Sequence, residues 1–427
     1  MVDERLNNGL YHLSKATTPR DVSYAWHLMG EAKNDKCVII SLDNYDKSVY
    51  PKELNRLINS NDSAFMPYFE SDKLYFIDDE LLSEMSDNKS YDVQFPIDYS
   101  VMLDTNYSSY IHAFVSNDWT GMSNDVFNVI DILIRENFHF DYFFYMIENY
   151  NNSFCSFEAN DTTAIQNKQA KLYLNLVSLE LFKNIDTEEY CNNRTLKYNI
   201  SEQEVYLIVD GIFSDMYNSI KGKEIMEMFL IMHKSMILIL IGVLRIRFES
   251  KSNSQNKIQE LFEYIDNVVG YYPEREMIIA HKYFSNPRNV QIINKINKGM
   301  NEEKLHKSIE NIAWDFTVPR IMELFLETIG EGRYFIPFFL SNDRNLRELL
   351  RLYKVKGVIF NKGGNKLIPI SGFNSREYFK ECNVDIDSYF TSEAISRRNK
   401  KFECNKKTEF RAINEEFSKL VKVMECK

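Results

Sequence analysis

The chain is poor in the residues that punctuate a backbone, with Gly 14 and Pro 9 among 427 positions. Tight turns and short-stranded all-β arrays depend on those residues, so long helices joined by polar breaks are favoured. The six cysteines, at 37, 155, 191, 382, 404 and 426, form no C-x-x-C pair and meet no histidine at zinc-finger spacing. That excludes a zinc module and a disulfide scaffold, and reads as scattered reduced thiols in a cytosolic chain. Neither G-x-x-x-x-G-K-[ST] nor G-x-G-x-x-G occurs, so ATP- or dinucleotide-driven chemistry has no support. The start, "MVDERLNNGLYHLSK", lacks the basic and apolar stretches of a secretory signal, and no export is expected. Long uncharged runs are missing too. The most apolar segment, 228–248, is interrupted by His233 and Lys234, which leaves only 235–244 free of charge. That stretch is too short to span a bilayer and reads as a buried core helix, so no membrane partner is expected.

What is present points to a large globular protein: 44% hydrophobic and 14% aromatic residues over a length that suits two or three domains. A formal charge of -11 argues against a generic nucleic-acid coat, because phosphate binding draws on Lys and Arg, but leaves room for a local basic surface. Residues 1–92 read as an N-terminal α/β extension. The run "YSVML" at 99–103 is apolar on both faces, as a strand buried in a parallel sheet should be, and 93–155 continues with helical spacing through "YFFYMIENY". Residues 156–300 read as mainly helical. In 301–370 the order is helix ("SIENIAWDFTVPRIMELFLETI"), strand ("YFIPFFLSND"), helix ("RNLRELLRLYK") and strand ("VKGVIF"), the grammar of a parallel sheet with crossover helices. Residues 371–427 read as a polar tail with a basic knot, "RRNKKFECNKK".

Two strands are expected to end alike, one in Asp104-Thr105-Asn106 and the other in Ser341-Asn342-Asp343. Carboxyl ends of strands are where ligands bind in an open parallel sheet, so residues far apart in sequence converge there. Asp315, in "IAWDF", lies on the helix feeding the second strand, and Glu148 is nearly alone as a charge among aromatics; Glu276 in "PEREMIIAHKYF" is the other candidate for a middle acid. Clustered, partly buried carboxylates repel one another and call for a cation, and hard oxygen donors select Mg²⁺ or Mn²⁺. Taken one at a time, Asp104 and Asp343 are also ordinary helix N-caps. Asp315 could equally pair with Arg320, beside a Trp314 that reads as a core anchor.

The motifs "VMLDTN", "AWDF" and "FFLSNDRNL" resemble the acidic motifs of PIN-like ribonuclease domains. The resemblance implies an α/β fold, a PIN-like parallel sheet core with a large, mainly helical insertion. It also implies a metal-dependent endoribonuclease or single-strand nuclease, a class that includes toxins and anti-phage defence effectors. Asp104, Glu148, Asp315 and Asp343 would be the catalytic acids and the Mg²⁺ or Mn²⁺ ligands, with Asn106, Ser341 and Glu276 in support. RNA or a single-stranded nucleic acid would be the substrate, while a regulatory protein partner or a homo-oligomer is left open. The basic run offers Arg397, Arg398, Lys400 and Lys401 to phosphates, with Phe402 to stack on a base. Two other readings stand beside this one. The acids could be caps in a non-catalytic helical interaction protein. Alternatively Arg275 and His281, as R-x₅-H, resemble the catalytic motif of metal-independent HEPN ribonucleases, with Glu276 standing where that family prefers a small polar residue or His. His306 reads as a surface or capping group.

Overall fold

The computed structural model describes residues 4–60, 62–87, 93–154, 162–326, 332–362, 367–372 and 374–425. The expected divisions at 92 and 155 fall outside the described residues. Eight strands are present among those described: β1 (Lys36–Ser41), β2 (Phe65–Pro67), β3 (Leu74–Ile77), β4 (Ile97–Leu103), β5 (Phe140–Asp141), β6 (Tyr334–Leu340), β7 (Val355–Asn361) and β8 (Leu367–Ser371). They form two four-stranded sheets in a chain that is otherwise mostly helical, so the architecture is mixed α/β.

The first sheet has the order β2-β6-β4-β5. Its centre is the expected parallel pair: β4 runs alongside β6 from Ile97↔Tyr334 to Leu103↔Leu340, and β5 adds a second parallel neighbour to β4. The apolar ends of both strands explain this burial, since Val101, Met102 and Leu103 and their partners Phe338, Phe339 and Leu340 are fully enclosed. The antiparallel β2, only three residues long, covers the outer edge of β6.

The second sheet corrects the single parallel sheet expected from the sequence. Its order is β3-β1-β7-β8 and every pairing in it is antiparallel. "VKGVIF" therefore sits beside "CVIIS" of the N-terminal region rather than beside β6. An apolar run reports burial on two faces but carries no information about its partner or direction. Nor are residues 1–92 a separable extension, because β1 and β3 build the second sheet and β2 edges the first. Alternation along β1 divides two cores: Cys37 and Ile39 face the main one, while Val38 and Ile40 face a smaller one closed by Leu13, Val22 and Trp26.

The helix Ile220–Glu249 is long and apolar enough, by length and composition, to cross a membrane, yet 72% of its apolar window is buried. It packs on helices Glu302–Leu326 and Ala412–Glu425, as the core-helix reading anticipated. The C-terminal region is no loose tail. Helices Ser392–Lys407 and Ala412–Glu425 dock on the helical body, with Phe417 and Leu420 buried.

Candidate active site

The ends of β4 and β6 lie side by side, since the Asp104 N–H donates to the Leu340 carbonyl. Each chain then turns into a helix. Asp104 caps Thr105–Val115 by accepting the Tyr107 N–H at 2.7 Å, and Asp343 caps Arg344–Arg351 by accepting the Asn345 and Leu346 N–H groups at 2.7 and 3.3 Å. Both acids are thus the N-caps that composition alone would suggest. Asp343 keeps its second oxygen, Oδ2, outside the cap, 4.0 Å from the Lys295 ammonium.

Capping does not account for the other two acids. Helix Phe143–Phe154 follows β5 and brings Glu148 against the first turn of the Asp104-capped helix, where the Thr105 hydroxyl donates to its carboxylate. Asp315 lies midway along Glu302–Leu326, a helix packed on β6. Its position is fixed by Trp314, which stacks on the buried His233 with ring centres 4.0 Å apart. Pro319 has no N–H, so the Asp315 carbonyl lacks its usual donor one turn ahead.

Electrostatics show that these four carboxylates share one neighbourhood. Burial, with the Asp343 charge adding to it, pushes Asp104 up to about 6, although Ser341 and the Tyr107 N–H stabilise its ionised form. Burial, with Asp104 adding to it, pushes Glu148 up to about 7 against the pull of Thr105. Asp315 is driven well above the carboxylate range by burial and then by Glu148, Asp343 and Asp104, with Lys295 as the opposing charge. Glu148 and Asp315 retain some accessible surface while protein atoms desolvate their carboxyls. That combination describes groups lining a recess rather than groups sealed in a core.

The acids feel one another without closing on a point. Among the described residues, no group of three or more His, Cys, Asp or Glu side chains is arranged to hold a metal ion. The donor set itself, carboxylate oxygens with the Thr105 and Ser341 hydroxyls behind them, suits a hard divalent cation, and its negative charge is only partly offset.

The supporting residues divide. Ser341, fully buried, links the two strand ends through its bond to Asp104. Asn106 has an exposed side chain and supports Asp104 only through its backbone N–H. Glu276 belongs elsewhere: it is buried 3.2 Å from Arg320, in a network that continues through Glu323 to Arg275 at 2.9 Å. Of the two acids, Glu148 is the one beside Asp104, and Arg320 is engaged by Glu276 and Glu323 rather than by Asp315. The same network takes up Arg275 of the R-x₅-H pattern, while His281 is buried with Nδ1 2.8 Å from the Tyr378 hydroxyl. His306 is half-exposed, 3.3 Å from Glu310, as a surface group.

The basic run is partly taken up by the fold. Arg397 and Arg398 bond to the buried Asp266 at 2.6 and 2.7 Å, and Arg398 is itself buried. Phe402 packs against Tyr271 and Phe410. These side chains fasten the helix Ser392–Lys407 to the body, which leaves Lys400 exposed and Lys401 partly so. Two residues near the acids were not among the expected ones: Thr105 was legible as a neighbour of Asp104 but not as the donor to Glu148, and Lys295 carries no motif in "IINKIN". A further strand-ending acid, Asp141 as the last residue of β5, accepts from the Ser100 hydroxyl at 2.6 Å, and no cluster acid is among the groups acting on it. Compared with known proteins, the chain matches no family model, no curated protein and no solved structure.

Proposed function

We propose that the protein is a metal-dependent nuclease of the PIN-like type, hydrolysing phosphodiesters in RNA or another single-stranded nucleic acid. The observation that carries this reading is the meeting of Asp104, Glu148, Asp315 and Asp343. At the carboxyl ends of two adjacent parallel strands, burial and the charges of neighbouring acids raise the proton affinity of Asp104, Glu148 and Asp315, with the Asp343 charge acting on Asp104 and Asp315. Helix caps explain two of the four and do not explain Glu148 or Asp315.

Asp104, Asp343, Asp315 and Glu148 would hold Mg²⁺ or Mn²⁺, the cation offsetting their mutual repulsion. When bound, such an ion polarises a phosphate and promotes ionisation of water. The rest is the work of this chain's own residues. The cap hydrogen bonds fix the orientation of Asp104 and Asp343 while leaving lone pairs for a ligand. Thr105 keeps Glu148 turned toward the first turn of the capped helix. Both carboxyls must be ionised to hold a cation, so with affinities displaced to about 6 and about 7 metal binding should release protons and strengthen as pH rises through that range.

The test is cleavage of a labelled single-stranded oligoribonucleotide with Mn²⁺ by the parent chain and by Asp104→Asn and Asp343→Asn. Asn is itself a good N-cap, so both variants keep the fold and lose cleavage by at least about 100-fold. Variants that cut as the parent does would refute the assignment.

A further inference from the structure

Lys295 is a cation at the rim of the cluster. Lys295 extends from the end of the short helix Gln291–Asn294, in a segment pinned by the buried Ile292, Ile293 and Ile296 and packed on the Asp343-capped helix. Three apolar anchors around one lysine fix the backbone from which the side chain projects. Its ammonium stands 4.0 Å from Asp343 Oδ2 with 53% of the side chain exposed. That separation exceeds hydrogen-bond length, so the carboxylate does not consume its N–H donors. The same charge acts on Asp315, against the three neighbouring acids.

We propose that Lys295 binds the substrate, donating to a non-bridging oxygen of the phosphate that is cut. This inference rests on the nuclease reading. A site built of carboxylates must admit a phosphodiester that brings its own negative charge, and a cation at the mouth offsets that repulsion. A half-exposed lysine at 4.0 Å offsets the Asp343 charge without donating a hydrogen bond to it. One held just beyond reach, hydrated and with donors to spare, is placed to turn to a phosphate oxygen once a cation engages the carboxylate.

The experiment measures Mn²⁺-dependent cleavage of a fluorescein-labelled single-stranded oligoribonucleotide by the parent chain, Lys295→Gln and Lys295→Arg over a range of KCl. Loss of one charge-assisted contact should lower kcat/KM about tenfold in Lys295→Gln, carried by KM, with most of it restored in Lys295→Arg. The slope of log kcat/KM against log salt should fall by about 0.7 as one phosphate contact is removed. A Lys295→Gln protein with the parent's KM and salt slope, altered only in the Mn²⁺ concentration it needs, would overturn the proposal and make Lys295 a counter-ion. A parent chain that shows no Mn²⁺-dependent cleavage would instead overturn the nuclease reading, and this inference with it, before any variant is compared.

Discussion

Replacing Asp315 by Asn removes the charge that feels every other acid of the cluster while keeping the shape of the side chain. The folded chain holds protons on Asp104, Glu148 and Asp315 that an unfolded chain would have released. For acids raised in this way, stability is fully present below pH ~4, near the ordinary carboxylate range. It is lost as pH rises through the folded values of about 6 and about 7. The displacement of Asp104 from 3.8 to about 6 corresponds to roughly 3 kcal/mol at most, and Glu148, coupled to it and partly accessible, adds less than a second full increment. Asp315→Asn should therefore stabilise the metal-free protein by about 1–3 kcal/mol at pH 8 and change little at pH 5. For a chain of this size that is a rise of a few degrees in melting temperature, about 1–3 °C per kcal/mol. Millimolar Mn²⁺ should raise the parent's melting temperature at pH 8 by linkage and leave that of Asp315→Asn almost unmoved. The assay is thermal unfolding at both pH values with and without Mn²⁺. A variant less stable than the parent at pH 8 would refute the reasoning, because it would mean that the Asp315 charge is satisfied by the protein.

Further outcomes separate the site from its surroundings. Glu276→Gln leaves Arg320 with a weakened buried partner and should cost roughly 3 kcal/mol while preserving the Mn²⁺-dependent thermal shift; Glu148→Gln should keep its stability at pH 8 and lose that shift. Arg398→Met strips the buried Asp266 of its enclosed partner and should destabilise the chain by about 2–4 kcal/mol in urea unfolding. Lys400→Gln should stay within about 0.5 kcal/mol of the parent. Neither substitution should selectively weaken binding of an oligoribonucleotide by fluorescence anisotropy if the basic run is a structural fastening.

The features legible in the sequence were local. An apolar run closing in Asp104 and another closing in Ser341-Asn342-Asp343 announced two buried strands entering helices, and both occur in parallel register with their acids adjacent. Pairing partners were not legible, because burial of a strand is written in its own residues whereas its neighbour is chosen by the whole chain. Hence β7 pairs with β1 and not β6, and β2, three residues long, escaped notice. Charge behaves in the same way. Arg397 and Arg398 form a basic run on paper, yet Asp266, more than a hundred residues away, consumes both. Glu148 and Glu276 looked alike as single acids on apolar helices, and only the fold distinguishes one beside Thr105 from one locked to Arg320.

Whether the four acids form one cation site is decided by Mn²⁺ titration of the full chain at pH 7.5, followed by electron paramagnetic resonance. Free Mn²⁺ signal should be lost on addition of the parent chain, with saturation at one or two ions, and Asp104→Asn and Asp315→Asn should each abolish most of that loss. A parent chain that leaves the free signal undiminished at millimolar Mn²⁺, or an Asp315→Asn protein that binds as the parent does, would contradict it.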